Sequence, residues 1–382
     1  MRIVICGAGL AGLTMASRMA ALGGDVVLLE RAPGPRRQGY LIDFFGPGYD
    51  AVERMGLLPA VEDVAYRIDE VTFVDEHGDR TAGVPPSRFA GGRLLSVLRP
   101  DLERVLREHL PPGVDLRFGT TPHAVTARPG GVRVTLGTGE ELDADLLVGA
   151  DGIHSTVRDL LFGPEERFLR HLGLHTAAFT LDAPHIHAAL SGRFCLTDSV
   201  NRQFGLYGLR DGRVAAFAVH RDPDPALPRD PRAALRDTYA GLGWLVPDAL
   251  EACPPPEAIY YDQVAQIRMP AWSAGRVALL GDAAYAVSLL AGQGASLGIA
   301  GAYVLADQLA GQAPVATALA HYERLWRPVV EEKQRVGRST AQWFVPGSRT
   351  RLHLRHAMLR MSRAPLLTRL LAGRSSDLVA RL

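Results

Sequence analysis

The residues best suited to chemistry in this 382-residue chain fall in three short stretches. The first, "GAGLAG", sets Gly7, Gly9 and Gly12 in GxGxxG spacing. Glycines at those positions allow a tight turn and let backbone approach a pyrophosphate at a helix N-terminus. Glu30, closing the next apolar run, is placed to accept hydrogen bonds from ribose hydroxyls. Its charge would repel a 2′-phosphate, which leaves FAD or NAD as the dinucleotide. The second stretch, "VGADGIHSTVRDLL", carries Asp151, Ser155 and Arg158. Asp151 or Ser155 could cap the helix that begins there, or Asp151 and Arg158 could stand beside the pyrophosphate. The third, "GRVALLGDAAYAVSLLAGQGASLGIAGAY" at 275–303, ends an apolar run at Gly281 and Asp282. A loop of small residues follows, and a helix begins near Ala295 in which Gly298 and Gly301 would serve packing.

These residues need elements to position them. "RIVIC" and "DVVLLE" read as buried strands around the helical "LAGLTMASRMAALG", a βαβ unit and the usual opening of a doubly wound sheet. "ADLLVGADG" (144–152) and "RVALLGDA" (276–283) are apolar on both faces, as strands covered by helices on both sides should be. All three strands end in glycine or an acid, and ligands of open α/β sheets lie outside that carboxyl edge. Residues 114–143 alternate and read as a small antiparallel meander, and 168–220 as a second sheet able to cover a pocket. His171 and His175 share one face of their strand and Leu172 and Leu174 the other, with the histidines expected toward solvent. "RDPDPALPRDPR" (221–232) reads as a Pro/Asp-rich loop. Beyond 314 the pattern is helical, and the arginine-rich tail at 348–374 is expected to pack across two domains with its arginines outward.

Bulk properties exclude several classes. Hydrophobic residues make up 47% and charged residues 22%, and the formal net charge of +1 gives no basis for a nucleic-acid partner. Cys6, Cys195 and Cys253 match no metal or CxxC spacing, which suits a reducing cytoplasm. The start "MRIVICGAG" shows no signal-peptide apolar region, and no apolar stretch reaches membrane-spanning length. A soluble cytoplasmic protein without stable membrane association is expected.

The early GxGxxG, the mid-chain "GADGIHSTVR" and the later "GDAA…GQG", in that order, resemble the class A flavoprotein monooxygenases of the p-hydroxybenzoate hydroxylase fold. The length is most similar to that of the tetracycline-inactivating monooxygenases and short natural-product aromatic hydroxylases. The resemblance implies an α/β fold, in part α+β: a discontinuous Rossmann-like FAD-binding domain at 1–65, 93–165 and 268–330. A mainly antiparallel substrate domain would occupy 66–92 and 166–267, with C-terminal helices at 331–382. It further implies FAD as cofactor, NAD(P)H as a transient co-substrate, and hydroxylation of an aromatic or polycyclic small molecule by O2 through a C4a-hydroperoxyflavin. A role in antibiotic biosynthesis or resistance goes with that. Monomer or homodimer is the expected assembly.

Carried over residue by residue, the resemblance puts the FAD pyrophosphate on Gly7, Gly9 and Gly12, and the adenosine ribose on Glu30 beside Arg31. Arg99 and Asp43 would lie on the flavin side, Asp151 at the FAD and NAD(P)H pyrophosphates, and Asp282 on the ribityl chain. Arg36 falls where a nicotinamide-contacting arginine stands and Arg193 near a substrate-contacting one. Gly292, Gln293, Gly294 and Ala295 would lay amides along the anionic N1–O2 edge of the reduced ring, where a helix N-terminus carries about +0.5 charge. Phe44, Phe45, Phe204 and Tyr207 are candidates for a dry pocket wall. No metal site and no substrate-activating base are assigned. Tyr285 replaces the histidine many relatives carry after "GDAA", and Ala295-Ser296 an asparagine after "GQG". Alternatives are a reductase of the same fold without oxygen insertion, a flavin halogenase, disfavoured because no "WxWxIP" motif is present, and a flavin-binding carrier.

Overall fold

The computed structural model describes residues 1–35, 39–85, 93–311 and 313–361. Its first sheet has six strands in the order Ser273–Ala274, Val277–Leu279, Leu146–Gly149, Arg2–Cys6, Asp25–Leu29, Asp115–Arg117. All neighbours are parallel except the terminal pair Ser273–Ala274 and Val277–Leu279. Ile3, Val4 and Ile5 are fully buried, as a strand covered on both faces requires. The helices Leu10–Ala21 and Gly294–Ala310 contribute to the same core.

One segment differs from the meander expected at 114–143. Pro122–Arg128, Gly131–Leu136 and Glu141–Ala144 do form an antiparallel sheet, but Asp115–Arg117 pairs in parallel with Asp25–Leu29. Three residues are too few for alternation to reveal which sheet a strand joins.

The second sheet has seven strands in the order Tyr260–Ile267, Leu169–Leu181, Val214–Arg221, Arg202–Gly208, Phe194–Ser199, Val71–Val74, Arg80–Val84. One face packs Ala177, Phe179, Phe204 and Ala218 with Leu235, Tyr239 and Ala249 of the helices Pro231–Tyr239 and Val246–Glu251. The other face looks toward the parallel sheet. A ribbon of Leu41–Phe45 and Leu94–Leu98 bridges the two, and Leu41 N donates to Tyr207 Oη at 2.5 Å.

The 30-residue helix Val315–Phe344 and the helix Arg349–Met361 follow. The arginines of the latter are not all outward. Arg355 is 2% exposed and pairs with Asp198 of the second sheet, while Leu354 is 60% exposed. A carboxylate buried in the sheet draws the guanidinium inward, because an unpaired buried charge is far costlier than an exposed leucine. Among the described residues no helix is long and apolar enough to cross a membrane.

Candidate active site

The strands Arg2–Cys6, Leu146–Gly149 and Val277–Leu279 are direct neighbours, so their carboxyl ends open side by side. A cavity of about 1660 Å³ lies there, between the two sheets. Single small-molecule pockets run from about 300 to 1,000 Å³, so this one has room for a large cofactor and a second ligand.

Its first wall is the glycine turn. Gly7 has φ +103°, and a Cβ on it would overlap the Ala150 carbonyl; one on Gly12 would overlap the Gly7 carbonyl. The turn is therefore as tight as backbone allows, and Gly7, Gly9 and Ala8 line the cavity. Gly12 is buried behind it. Glu30 fixes the turn, its two oxygens accepting from Ala8 N at 2.9 Å and Ala32 N at 2.8 Å. The helix Leu10–Ala21 starts at Gly9 with no side chain capping it.

The opposite wall is the loop from Gly281 to Gly298. Gly281, Asp282, Gly292, Gln293, Gly294 and Ala295 all line the cavity. The helix Gly294–Ala310 begins at Gln293, again without a side-chain cap. Two helix N-termini thus face one cavity with unpaired donors and their positive dipole ends. Asp282 is exposed to the cavity although it lies deep in the molecule, and burial raises its pKa against the opposing pull of Arg99.

The middle strand end differs. Asp151 lines the cavity, but its carboxylate accepts from Ser155 Oγ at 2.5 Å and Val157 N at 3.0 Å. Ser155 in turn caps Arg158 N at 3.0 Å. This helix end carries its own anion. Arg158 is not on the cavity wall: it is fully buried, donates to Ile153 O and Ala283 O, and pairs with Glu165 at 2.8 Å.

Arg99 opens the helix Arg99–Glu108, pairs with Glu103 at 2.9 Å and lines the cavity with Arg31. Asp43 lines it too; burial raises its pKa, and a 2.7 Å hydrogen bond from Ser96 Oγ opposes the shift. Phe45 and Tyr207 are on the wall. Phe44 and Phe204 are not: both are fully buried core, because each differs from its wall-lining neighbour by an odd number of strand positions. Arg193 is absent from the wall and donates to Leu190 O at 3.2 Å at the end of a neighbouring helix. Arg36 lies outside the described residues.

Several cavity residues gave no signal in the sequence. Tyr40 and Tyr260 face each other across 6.0 Å, and His154 joins Glu165 to Asp262. Trp343 and Leu359 close the cavity from the C-terminal helices. His154 sat inside "GADGIHSTVR" and Tyr40 inside "GYLIDFFGPG", but neither stretch singled them out. Tyr285 turns away from the cavity, bonding Tyr322 Oη at 3.0 Å against Trp272, so its departure from the histidine pattern is a matter of packing. Ser296 is buried where Gly48 crosses it, and its hydroxyl accepts from Phe45 N at 3.4 Å.

A model of the FAD-binding domain family matches residues 1–335. An uncharacterized protein of Mycobacterium tuberculosis (strain H37Rv) is 35% identical over 321 residues, covering 80% of this chain and 84% of that one. A flavin-dependent monooxygenase of Legionella longbeachae is 29% identical, covering 90% of each. Among solved structures, tetracycline destructase Tet(55) is similar with a TM-score of 0.81 at 25% identity, covering 94% of each chain. Klebsiella pneumoniae HpxO complexed with FAD and uric acid shares the fold, with a TM-score of 0.82 at 21% identity over 100% of this chain and 97% of that one.

Proposed function

Since the chain belongs to the FAD-binding domain family and is a class A FAD-dependent monooxygenase, we propose that it uses NAD(P)H and O2 to hydroxylate an aromatic or polycyclic small molecule. The observation that carries this reading is the pair of uncapped helix N-termini, with Asp282 between them, facing one two-ligand cavity. The residues present suit FAD: glycines where backbone must approach phosphate, and donors without internal partners where negative charge must be met. FAD bound there supplies electron transfer from NAD(P)H and activation of oxygen.

The chain's own residues bind, orient and keep dry. Gly7, Gly9 and Gly12 would shape the pyrophosphate cradle, and Glu30, on the cavity wall, would meet the adenosine ribose. Asp282 would hold the polyol, and the amides of Gly292 to Ala295 would meet the negative charge of the reduced flavin. Arg99 balances Asp282 nearby. Phe45, Tyr207, Phe217, Trp343 and Leu359 exclude water from the reacting carbon. This apolar, aromatic wall favours a flat hydrophobic substrate, in keeping with the tetracycline named for the similar destructase. The division into a FAD-binding unit (1–65, 93–165, 268–330) and a substrate-binding unit (66–92, 166–267) belongs to the same reading, supported by the separate cores of the two sheets. Three buried, unpaired cysteines support a cytoplasmic setting.

The test is reconstitution with FAD followed by turnover under ¹⁸O2 with phenolic and polycyclic probes. The expected result is a yellow protein that bleaches with NADPH or NADH and places label in product. Failure to take up FAD overturns the site, and bleaching with unlabelled product overturns hydroxylation in favour of the reductase.

A further inference from the structure

The face of the seven-stranded sheet turned away from the cavity holds a second polar cluster. Strand pairing sets His175 directly opposite His220, and Asp222 follows two residues on. None of the three lines the cavity. His175 is 1% exposed and His220 7%, so the expectation that His175 faces solvent does not hold: the helix Pro231–Tyr239 covers that face. One ligand atom from each of His175, His220 and Asp222 lies within 4.8 Å of the others.

The surroundings aim these atoms at one point. His220 Nδ1 meets Tyr239 Oη at 3.2 Å, which leaves Nε2 facing inward. Asp222 Oδ1 accepts from Asp224 N at 3.0 Å, while Oδ2 stands 4.0 Å from His175 Nδ1. Tyr261 Oη lies 3.4 Å from His175 Nδ1 and 3.3 Å from His220 Nε2. The two Tyr261 contacts are hydrogen bonds whose lengths also match the edge of a tetrahedron around an ion with Zn–N bonds of about 2.0–2.1 Å, roughly 3.3–3.4 Å, whereas the 4.0 Å from His175 Nδ1 to Asp222 Oδ2 is longer.

We propose that His175, His220 and Asp222, with the Tyr261 hydroxyl beside them, bind a structural divalent ion of the zinc type. Two imidazoles and one carboxylate are a zinc donor set, whereas Ca²⁺ and Mg²⁺ favour all-oxygen shells. The outer contacts of Tyr239 and the Asp224 amide are the kind that orient ligands in such sites. Asp222, 40% exposed at the start of the Pro/Asp-rich loop, is the arm able to close the remaining distance. The ion would pin that loop to the strands Leu169–Leu181 and Val214–Arg221, independently of the flavin chemistry.

The experiment titrates ZnCl2 into the chelator-stripped, FAD-loaded full chain by calorimetry, with thermal unfolding in parallel. One equivalent should bind and raise Tm. Asp222→Asn should weaken binding on the order of a hundredfold or more and abolish the Tm rise while retaining FAD. His220→Gln should do the same; because it alters a buried site, the half-exposed Asp222 substitution keeps the test decisive. Absence of stoichiometric uptake, or equal affinity in Asp222→Asn, overturns the proposal.

Discussion

His154 shows how a single side chain couples the two sheets. Its Nδ1 lies 2.9 Å from Glu165 Oε1, and its Nε2 lies 3.3 Å from Asp262 of the second sheet. The hydrogen bond to Asp262, then the charges of Asp262 and Glu165, outweigh desolvation and push its pKa up to about 9 from 6.5. A raised pKa means protons are bound more tightly in the folded state. The resulting stabilisation is complete below pH 6.5 and is lost as pH rises through about 9. His154→Gln should therefore be less stable than the wild type at pH 6, with the gap closing by pH 10, as denaturant midpoints at the two pH values would show. The ring is partly exposed, so the gap should be small and should shrink with added salt.

At the scale of elements, the helix Gly294–Ala310 has two jobs that compete for its surface. Its N-terminus must stay uncapped toward the cavity, and its body must pass close to its neighbours. A Cβ at Gly301 would collide with Tyr285 Oη and come 2.8 Å from Trp326 Nε1. Gly301→Ala should destabilise the protein by about 1–3 kcal/mol through overpacking. Combining it with Tyr285→Phe, which removes the colliding oxygen, should give less than the sum of the two single effects in a denaturation cycle. Strict additivity would mean that the helix shifts as a body. The helix Thr156–Leu161 makes the contrast: it starts at the Asp151–Ser155 cap, which already takes the Val157 and Arg158 amides.

For the whole molecule, the C-terminal helices decide whether the cavity has a far wall. Trp343 and Leu359 form it, and the helix that carries Leu359 is tied to the second sheet through Asp198, which pairs with Arg355 and takes a 2.9 Å bond from His356 Nε2. The Asp198 side chain is 4% exposed. Replacing it with asparagine leaves a buried guanidinium without a counter-charge, a change that costs about 3–5 kcal/mol. Asp198→Asn should lower unfolding stability by that amount, measured by chemical denaturation, and should impair substrate turnover more than FAD retention.

The strand ends and what they carry could be read from the chain alone. Apolar runs closed by glycine or acid are local signals, so the glycine turn, Asp282 and the small-residue loop were legible, whereas the order of their strands was not, because long connections and not single βαβ crossovers join them. Tertiary structure alone decided which side chains meet at those ends. Periodicity tells Phe44 from Phe45 but not which face is wet, and it pairs His171 with His175 without revealing the helix that covers His175. Taken alone Asp151 read better as part of a cap, and only the resemblance made it a ligand; the position of Ser155 and Val157 settled its hydrogen bonds. Arg158, Arg193, Tyr285 and Arg355 each found a partner remote in the chain or on a neighbouring helix, and no local pattern encodes such a partner. Backbone punctuation is written in neighbours along the chain, whereas burial and charge pairing depend on what folds against them.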